Sequence, residues 1–261
     1  MSGRGGTEGY NAFEEMVKEF QASFTTELIP GILHNFANPL NGIMGRSRLL
    51  QRRAIKHLEN ISEYAQIDEE KLKECRKVID DTDLIVNETD KLFNLFNDVA
   101  EKFRRLSDTA VRKINLSELI KTEIAFFDFY LDFKHQVKKN LMLDDEISEV
   151  TGSPADYSIA LSTLIRYVAN SMRDSEKKIL IVSTSSDVTH VCVRIGNTSA
   201  QTFSDDEKEL LQNWDNFSKS YDETNVDRNL FNSLSLLKKY DAFFQFEDGA
   251  GFNIISVRIP Y

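Results

Sequence analysis

The sequence predicts an α+β protein in which an antiparallel helical hairpin precedes an α/β sandwich. Apolar residues recur at steps of three and four from about residue 10 to 106, and shorter alternating segments follow residue 114. Among 261 residues there are only 4 Pro and 11 Gly, with 41% hydrophobic and 28% charged residues, which is typical of globular, helix-rich chains. We therefore predict a hairpin domain over 10–110 and a second domain over 111–261.

Two long helical patterns make up the predicted hairpin. The first runs from about residue 10 to 65 and the second from about 69 to 106, with a short acidic break between them. Each contains an apolar stripe, which includes Phe36, Leu40, Ile43, Leu50 and Leu58 in the first pattern and Leu72, Ile79, Val86, Phe93 and Phe96 in the second. Because two helices alone cannot bury both stripes, we predict a homodimer that forms a four-helix bundle.

The elements of the second predicted domain are shorter. Helical patterns cover 116–133, 158–173 and 230–240, and alternating apolar patterns typical of strands cover 179–184, 188–195, 243–246 and 252–259. This order predicts a sheet covered by helices on one face. Packing of a helix on this sheet explains the aromatic run over 126–130, and a ligand or partner patch is the alternative.

Charge and hydropathy limit the choice of partners. The formal charge of -10 and the pI near 5.0 argue against nucleic acid or an anionic membrane, because both are bound through clustered Lys and Arg. No apolar run approaches the roughly 18 residues of a membrane span, and the N-terminus has no apolar signal core, so we predict a cytoplasmic protein. The two cysteines lack the spacing of a zinc site, and no metal site is predicted.

His34 is the candidate nucleophile of the first helix. It lies off the apolar stripe, so its imidazole is predicted to face solvent, where it is partly neutral at pH 7 and able to attack phosphorus. Helical steps from His34 lead along one face through Asn38, Asn41, Gly45, Arg48 and Arg52. This face is predicted to dock an acidic partner. The alternatives are an ordinary surface histidine and arginines that only solvate the helix.

Residues that weaken a helix follow His34 closely. Pro39 cannot donate a hydrogen bond to the carbonyl of Asn35, which is expected to loosen or bend the helix. Gly42 and Gly45 lower helix stability further and are expected to let another protein approach the backbone. Such residues in an exposed helix cost stability, which suggests that they serve a function.

The segment His34-Asn35-Phe36-Ala37-Asn38-Pro39-Leu40 resembles the phosphoacceptor motif of two-component histidine kinases. In that motif a His is followed by an acid, an apolar residue, a basic residue, Thr or Asn, and Pro-Leu. The resemblance implies that His34 carries a phosphoryl group and that Asn38 stands where the family orients water for dephosphorylating a receiver. Asn35 departs from the motif, because it replaces the acid thought to handle the imidazole proton during attack on ATP and cannot act as a base.

The second domain resembles the ATPase domain of the same family, the Bergerat fold. Residues 152–171 match the approach and helix that hold the magnesium-binding Asn, which corresponds to Asn170, and Asn197 lies where the family has the Asp that reads adenine. No glycine occurs between Gly196 and Gly249, and the region is acidic. A loop around a triphosphate needs glycine for close backbone approach. We therefore predict a retained fold with no cofactor of its own, in which Asn170 and Asn197 are vestiges.

Three functions fit these observations. The leading prediction is a histidine phosphotransferase, similar to the dimeric phosphotransferases of sporulation and cell-cycle phosphorelays, which moves phosphoryl groups between receiver-domain aspartates through His34 without ATP. Its partners are receiver domains of response regulators or hybrid kinases, and magnesium is expected on the receiver. A divergent ATP-dependent sensor histidine kinase and a noncatalytic scaffold for a kinase or receiver are the alternatives. Nucleotide binding separates the first two, and a dispensable His34 marks the third.

Overall fold

The computed structural model describes residues 5–23, 28–63, 69–198, 203–214, 225–249 and 252–261. The chain forms two compact units. One consists of Ile29–Ala100, and the other combines Met1–Leu28 with Glu101–Tyr261. Helices and a sheet are both present, as the predicted α+β class requires.

The smaller unit contains helix α2 (Ile29–Glu63) and most of helix α3 (Glu69–Ser107). The two helices run antiparallel, because Arg53 of α2 pairs with Asp81 of α3 and Lys56 pairs with Glu74. Asp81 is only 4% exposed and is also paired with Arg46 at 3.2 Å. Two guanidinium groups therefore compensate one buried carboxylate, which would otherwise be costly to remove from water.

The predicted helix over 10–65 is described in two segments, α1 (Gly5–Ser23) and α2, while residues 24–27 and 64–65 lie outside the described residues. Helix α1 ends at Ser23 and α2 begins at Ile29, with Pro30 in the first turn of α2, where a missing N–H is tolerated. Helix α1 belongs to the larger unit, so the hairpin unit is shorter at both ends than the predicted 10–110.

The described ranges of the larger unit contain seven strands: β1 (Arg112–Ile114), β2 (Lys138–Met142), β3 (Val150–Gly152), β4 (Ile179–Ser186), β5 (His190–Asn197), β6 (Phe243–Gly249) and β7 (Phe252–Pro260). Five of them form a sheet with the order β2-β4-β5-β7-β6, in which only the β2–β4 pair is parallel. Strands β1 and β3 form a separate antiparallel pair. The four strands predicted from alternating apolar residues are all present, whereas β1, β2 and β3 were not predicted.

The described ranges of this unit contain five further complete helices: α4 (Leu116–Phe127), α5 (Leu131–Gln136), α6 (Pro154–Asn170), α7 (Asp205–Gln212) and α8 (Arg228–Lys238). Alternate strand residues such as Val182, Val193 and Val257 are fully buried, while Arg194 and Arg258 lie half-buried on the opposite face. The predicted sandwich with one covered sheet face is therefore confirmed.

The predicted helix over 116–133 is two helices. A turn over 128–130 separates α4 from α5, with hydrogen bonds from Phe129 N–H to the carbonyl of Phe126 and from Tyr130 N–H to that of Phe127. The turn places Phe129 in the protein interior, where its ring packs 5.5 Å from that of Phe126. Burial of this aromatic ring offsets the loss of regular helix at the turn.

Candidate functional site

His34 lies near the start of α2 with its side chain exposed. Its neighbour Asn35 is only 6% exposed. Successive helical residues point about 100° apart, so an outward imidazole next to an inward amide agrees with the geometry of a half-buried helix. Because Asn35 is an amide and is also buried, it contributes to the packing of α2 and does not handle protons at the imidazole.

The predicted docking face is exposed along its length. The exposed positions are His34, Asn38, Asn41, Gly45, Arg48 and Arg52, which we call the His34 face. Three other cations of α2 (Arg46, Arg53 and Lys56) are engaged by carboxylates of α3. By contrast, Arg48 and Arg52 form no ion pair within the described part of the chain. Two cations on the His34 face therefore remain available to a partner.

The two glycines of α2 have different surroundings. A Cβ added at Gly45 would meet no atom within 4 Å, whereas one at Gly42 would lie 3.3 Å from Cγ of Glu88 on α3. Gly42 therefore serves the packing of the hairpin itself, which corrects its expected role in admitting a partner. Helix α2 continues through the buried Pro39 without a break in its helical residues. An open approach to the backbone exists at Gly45.

The hairpin unit retains exposed apolar side chains. Leu40 and Met44 on α2, and Leu84 and Val86 on α3, are each more than a third exposed. Leu40 and Val86 belong to the predicted stripes. Complete burial of one such side chain contributes about 1.5–3 kcal/mol of favourable free energy, so association that covers this apolar surface is favourable.

In the larger unit, Asn170 lies exposed at the carboxyl end of α6, beside a cavity of about 480 Å³. We call it the α6 cavity. Its lining includes Tyr167 of α6, Phe20 of α1 and Asp227 at the start of α8. It is the place where the resemblance predicts a vestigial nucleotide site.

Asn197 is used by the fold. It is 1% exposed, and its Nδ2 donates to the carbonyl of Val168 at 2.8 Å and to Oγ of Ser171. Its Oδ1 accepts from Nδ2 of Asn253 at 3.3 Å. Its amide therefore ties the end of β5 to α6 and β7, and both its donor and its acceptor atoms are bonded to protein.

Helix α1 forms one wall of the α6 cavity, a feature that the sequence analysis missed. Oε1 of Glu19 accepts from Nδ2 of Asn229 at 2.8 Å, and the hydroxyls of Ser23 and Tyr130 lie 3.1 Å apart. The ring of Phe20 packs 6.2 Å from that of Phe126. These contacts hold α1 against α4 and α8 at the position where a nucleotide cleft would need to remain open.

The charges of the α6 cavity also oppose a nucleotide. Its carboxylates are Glu19, Glu207 and Asp227. The hydroxyl of Tyr167 donates to Glu207, and burial together with this hydrogen bond raises the pKa of Tyr167. A triphosphate placed here would be repelled by three carboxylates.

Lys102 of α3 lines the same cavity but is already paired. It is 1% exposed, forms an ion pair with the buried Glu123 and donates to Oγ of Ser158 at 2.9 Å. Burial lowers the pKa of Lys102, and the Glu123 carboxylate opposes that shift. The ammonium group is consequently committed to the protein core and does not offer its charge to a phosphate.

We expect that neither ATP nor ADP binds with magnesium at micromolar concentrations. The reasons are the wall formed by α1, the internally bonded Asn197 and the acidic lining. Isothermal calorimetry on the full chain checks this, with near-ultraviolet circular dichroism to show that the sample is folded. A saturable heat with micromolar affinity would contradict the expectation and favour the ATP-dependent kinase.

No helix in the described ranges is both long and apolar enough to cross a membrane. No protein-family model and no curated protein matches the chain.

Several solved structures have a similar arrangement. The chain is similar to the Acinetobacter baumannii histidine kinase AdeS, with 15% identity, coverage of 87% of this chain and 97% of that one, and a TM-score of 0.44. It is similar to a bacterial phosphotransferase with 13% identity, 88% and 93% coverage and a TM-score of 0.41. Histidine kinase ThkA in complex with response regulator protein TrrA gives 17% identity, 97% and 66% coverage and a TM-score of 0.45. These likenesses are distant, and the function proposed below rests on the chain's own residues.

Proposed function

We propose that this protein is a histidine phosphotransferase of a two-component phosphorelay. In this proposal His34 receives a phosphoryl group from the aspartate of one receiver domain and returns it to another, without ATP. The observation that carries the proposal is the His34 face, where an exposed imidazole is followed by two amides, an open glycine and two arginines that form no ion pair with the described residues. The internally bonded Asn197 and the wall formed by α1 support the absence of an ATP-dependent step.

The chemistry needs little from this chain. The unprotonated ring nitrogen of neutral His34 attacks phosphorus, a P–N bond forms, and the P–O bond to the aspartate breaks with the electron pair leaving on the carboxylate. The other ring nitrogen keeps its proton, so no base is required before attack. The receiver supplies magnesium and the positive groups that stabilise the moving phosphoryl. Asn35 in place of an acid is compatible with this step.

The test uses receiver domains encoded in the same genome. Each receiver is phosphorylated with radiolabelled acetyl phosphate, and the remaining acetyl phosphate is then removed. We expect label to move from at least one receiver to this chain within minutes, and no label to appear when the chain is given radiolabelled ATP and magnesium. Label from ATP alone, with none from any receiver in the set, would overturn the proposal.

Receiver docking is proposed to depend on Arg48 and Arg52. Replacing both by glutamate should weaken binding by about 1–3 kcal/mol, or roughly five- to 150-fold in Kd, with a smaller effect at high salt. Binding to the active receiver is measured by calorimetry at two salt concentrations. The matched control changes Lys113 and Lys177, exposed cations of the larger unit, to glutamate. If both double variants weaken receiver binding equally, the effect is one of overall charge, and Arg48 and Arg52 do not form a docking face.

A homodimer is the proposed assembly, because the hairpin leaves apolar residues uncovered. Val86→Asp should release monomers, since a carboxylate would then lie in the helix bundle, while Asn87→Asp, an exposed neighbour, should leave the mass unchanged. Light scattering at several protein concentrations distinguishes the two masses. If the Val86→Asp variant keeps the mass of a dimer, the dimer contact does not include Val86.

A further inference from the structure

The α6 cavity has no task in the proposed phosphoryl transfer, and the inference that follows does not depend on that proposal. Its volume of about 480 Å³ lies within the range of small-molecule sites. Aromatic side chains from separate parts of the larger unit line it, namely Phe20, Phe126, Phe127, Tyr130, Tyr167 and Phe203. Their ring faces carry partial negative charge, which attracts cations.

The three carboxylates of this cavity come from three separate helices or their caps. Each is held in place by a hydrogen bond: Glu19 accepts from Asn229, Glu207 accepts from the hydroxyl of Tyr167, and Asp227 accepts from the backbone N–H groups of Asn229 and Leu230. These bonds use one oxygen of Asp227, and its second oxygen accepts no hydrogen bond from the described residues. Both oxygens of Glu207 are engaged, because Oε2 also accepts from the backbone N–H of Ser204. The carboxylates are therefore oriented in advance, and Asp227 keeps an oxygen for a ligand.

Cations in the wall do not balance these acids. Lys102 is neutralised by Glu123, and Arg166 is the other cation among the described residues of the lining. The guanidinium of Arg166 lies over the ring of Tyr130, 5.8 Å from its centroid. Lys102 likewise lies over the rings of Phe20 and Phe126, 5.5 and 5.8 Å from their centroids. A ligand in the cavity therefore meets the rings of Tyr167 and Phe203 and an excess of negative charge among the described lining residues.

We propose that the α6 cavity binds a small organic cation, an amine or quaternary ammonium group carried on an apolar or aromatic body. Aromatic faces and fixed carboxylates together recognise such a group, because the ring attraction and the ion pair act on the same charge. The ligand contacts α1 through Phe20 and Glu19 and contacts α8 through Asp227. Binding consequently stabilises the docked position of α1 on this unit.

Probes of equal shape and different charge test the proposal on the full chain. Phenethylamine and benzyltrimethylammonium are the cations, phenethyl alcohol is the neutral analogue, and phenylacetate is the anion. Calorimetry and thermal unfolding are expected to show at least tenfold tighter binding of one or both cations than of the alcohol, and no binding of the anion. Cations that bind no better than the alcohol, or an anion that binds more tightly, would overturn the proposal.

Amide variants locate the site without removing its hydrogen-bond acceptors. Glu19→Gln combined with Asp227→Asn keeps an oxygen for Asn229 and a good helix cap, so the fold is expected to persist. Affinity for the better cation should fall about tenfold or more. The matched control, Glu118→Gln with Glu149→Gln, changes exposed carboxylates that do not line the cavity. Equal affinity in the cavity variant and the control would show that the cation binds elsewhere.

Discussion

Replacing His34 by glutamine is expected to abolish label transfer from a phosphorylated receiver while leaving receiver docking nearly unchanged. The amide lacks the ring nitrogen that attacks phosphorus, and no other nucleophile lies on the His34 face. Because His34 is exposed, the change should alter the free energy of unfolding by no more than about 0.5 kcal/mol. Transfer is measured by gel autoradiography and docking by calorimetry on the same samples.

Two variants accompany this experiment. His135→Gln removes an exposed imidazole from α5 and should transfer normally. Asn35→Ala should lower stability because the amide is buried, yet the folded fraction should transfer at a rate close to that of the wild type. Normal transfer by His34→Gln would favour the scaffold, and a folded Asn35→Ala as inactive as His34→Gln would contradict the mechanism.

Lys102→Ala is expected to destabilise the larger unit by about 3–5 kcal/mol, because it leaves the Glu123 carboxylate buried without its counter-charge. Glu123 is 0% exposed and keeps only the hydrogen bond from the hydroxyl of Ser158 among the contacts described here. Urea unfolding followed by near-ultraviolet circular dichroism measures the change through the aromatic cluster of this unit.

Two controls separate the buried charge from the loss of an ion pair in general. Lys56→Ala breaks the pair of an exposed lysine with Glu74 in the smaller unit, and should cost that unit less than about 1 kcal/mol when its unfolding is followed by far-ultraviolet circular dichroism. Lys102→Met combined with Glu123→Leu removes both charges and should recover most of the lost stability. A small effect of Lys102→Ala, equal to that of Lys56→Ala, would show that water or another group solvates Glu123.

The sequence was most informative where a single periodic pattern decides the structure. Strands β4, β5 and β7 alternate buried and half-exposed residues, and their positions were predicted closely. Strand β2 was missed because its Lys-Lys-Asn-Leu-Met sequence is largely exposed and its partner β4 lies far along the chain. Strands β1 and β3 have three residues each, too few for a period to be visible.

The surface on which α1 packs could not be predicted from the apolar pattern of α1 itself. Phe13, Met16 and Phe20 recur at helical steps, which fits a continued hairpin as well as packing on another surface. Which surface receives the apolar side of α1 depends on tertiary contacts with α4, α6 and α8.

The candidate site was predictable only where local helical periodicity decides which residues share a face. Helical steps of three and four were sufficient to place the exposed residues of the His34 face on one side of α2. The division between paired Arg46 and unpaired Arg48 was not predictable, because it depends on where Asp81 of α3 lies across the hairpin. Likewise, the bonds that engage Asn197 join residues far apart in the sequence.

The measurement that tests the central claim most directly follows one phosphoryl group through this chain. The protein is loaded from a labelled receiver, separated from it and mixed with a second, unlabelled receiver in the absence of nucleotide. A sample taken before mixing is digested under alkaline conditions, which preserve phosphohistidine, and sequenced by mass spectrometry. The account predicts that the phosphoryl group is on His34 and then moves to the aspartate of the second receiver. A phosphoryl group on any other residue, or one on His34 that no receiver can accept, would contradict it.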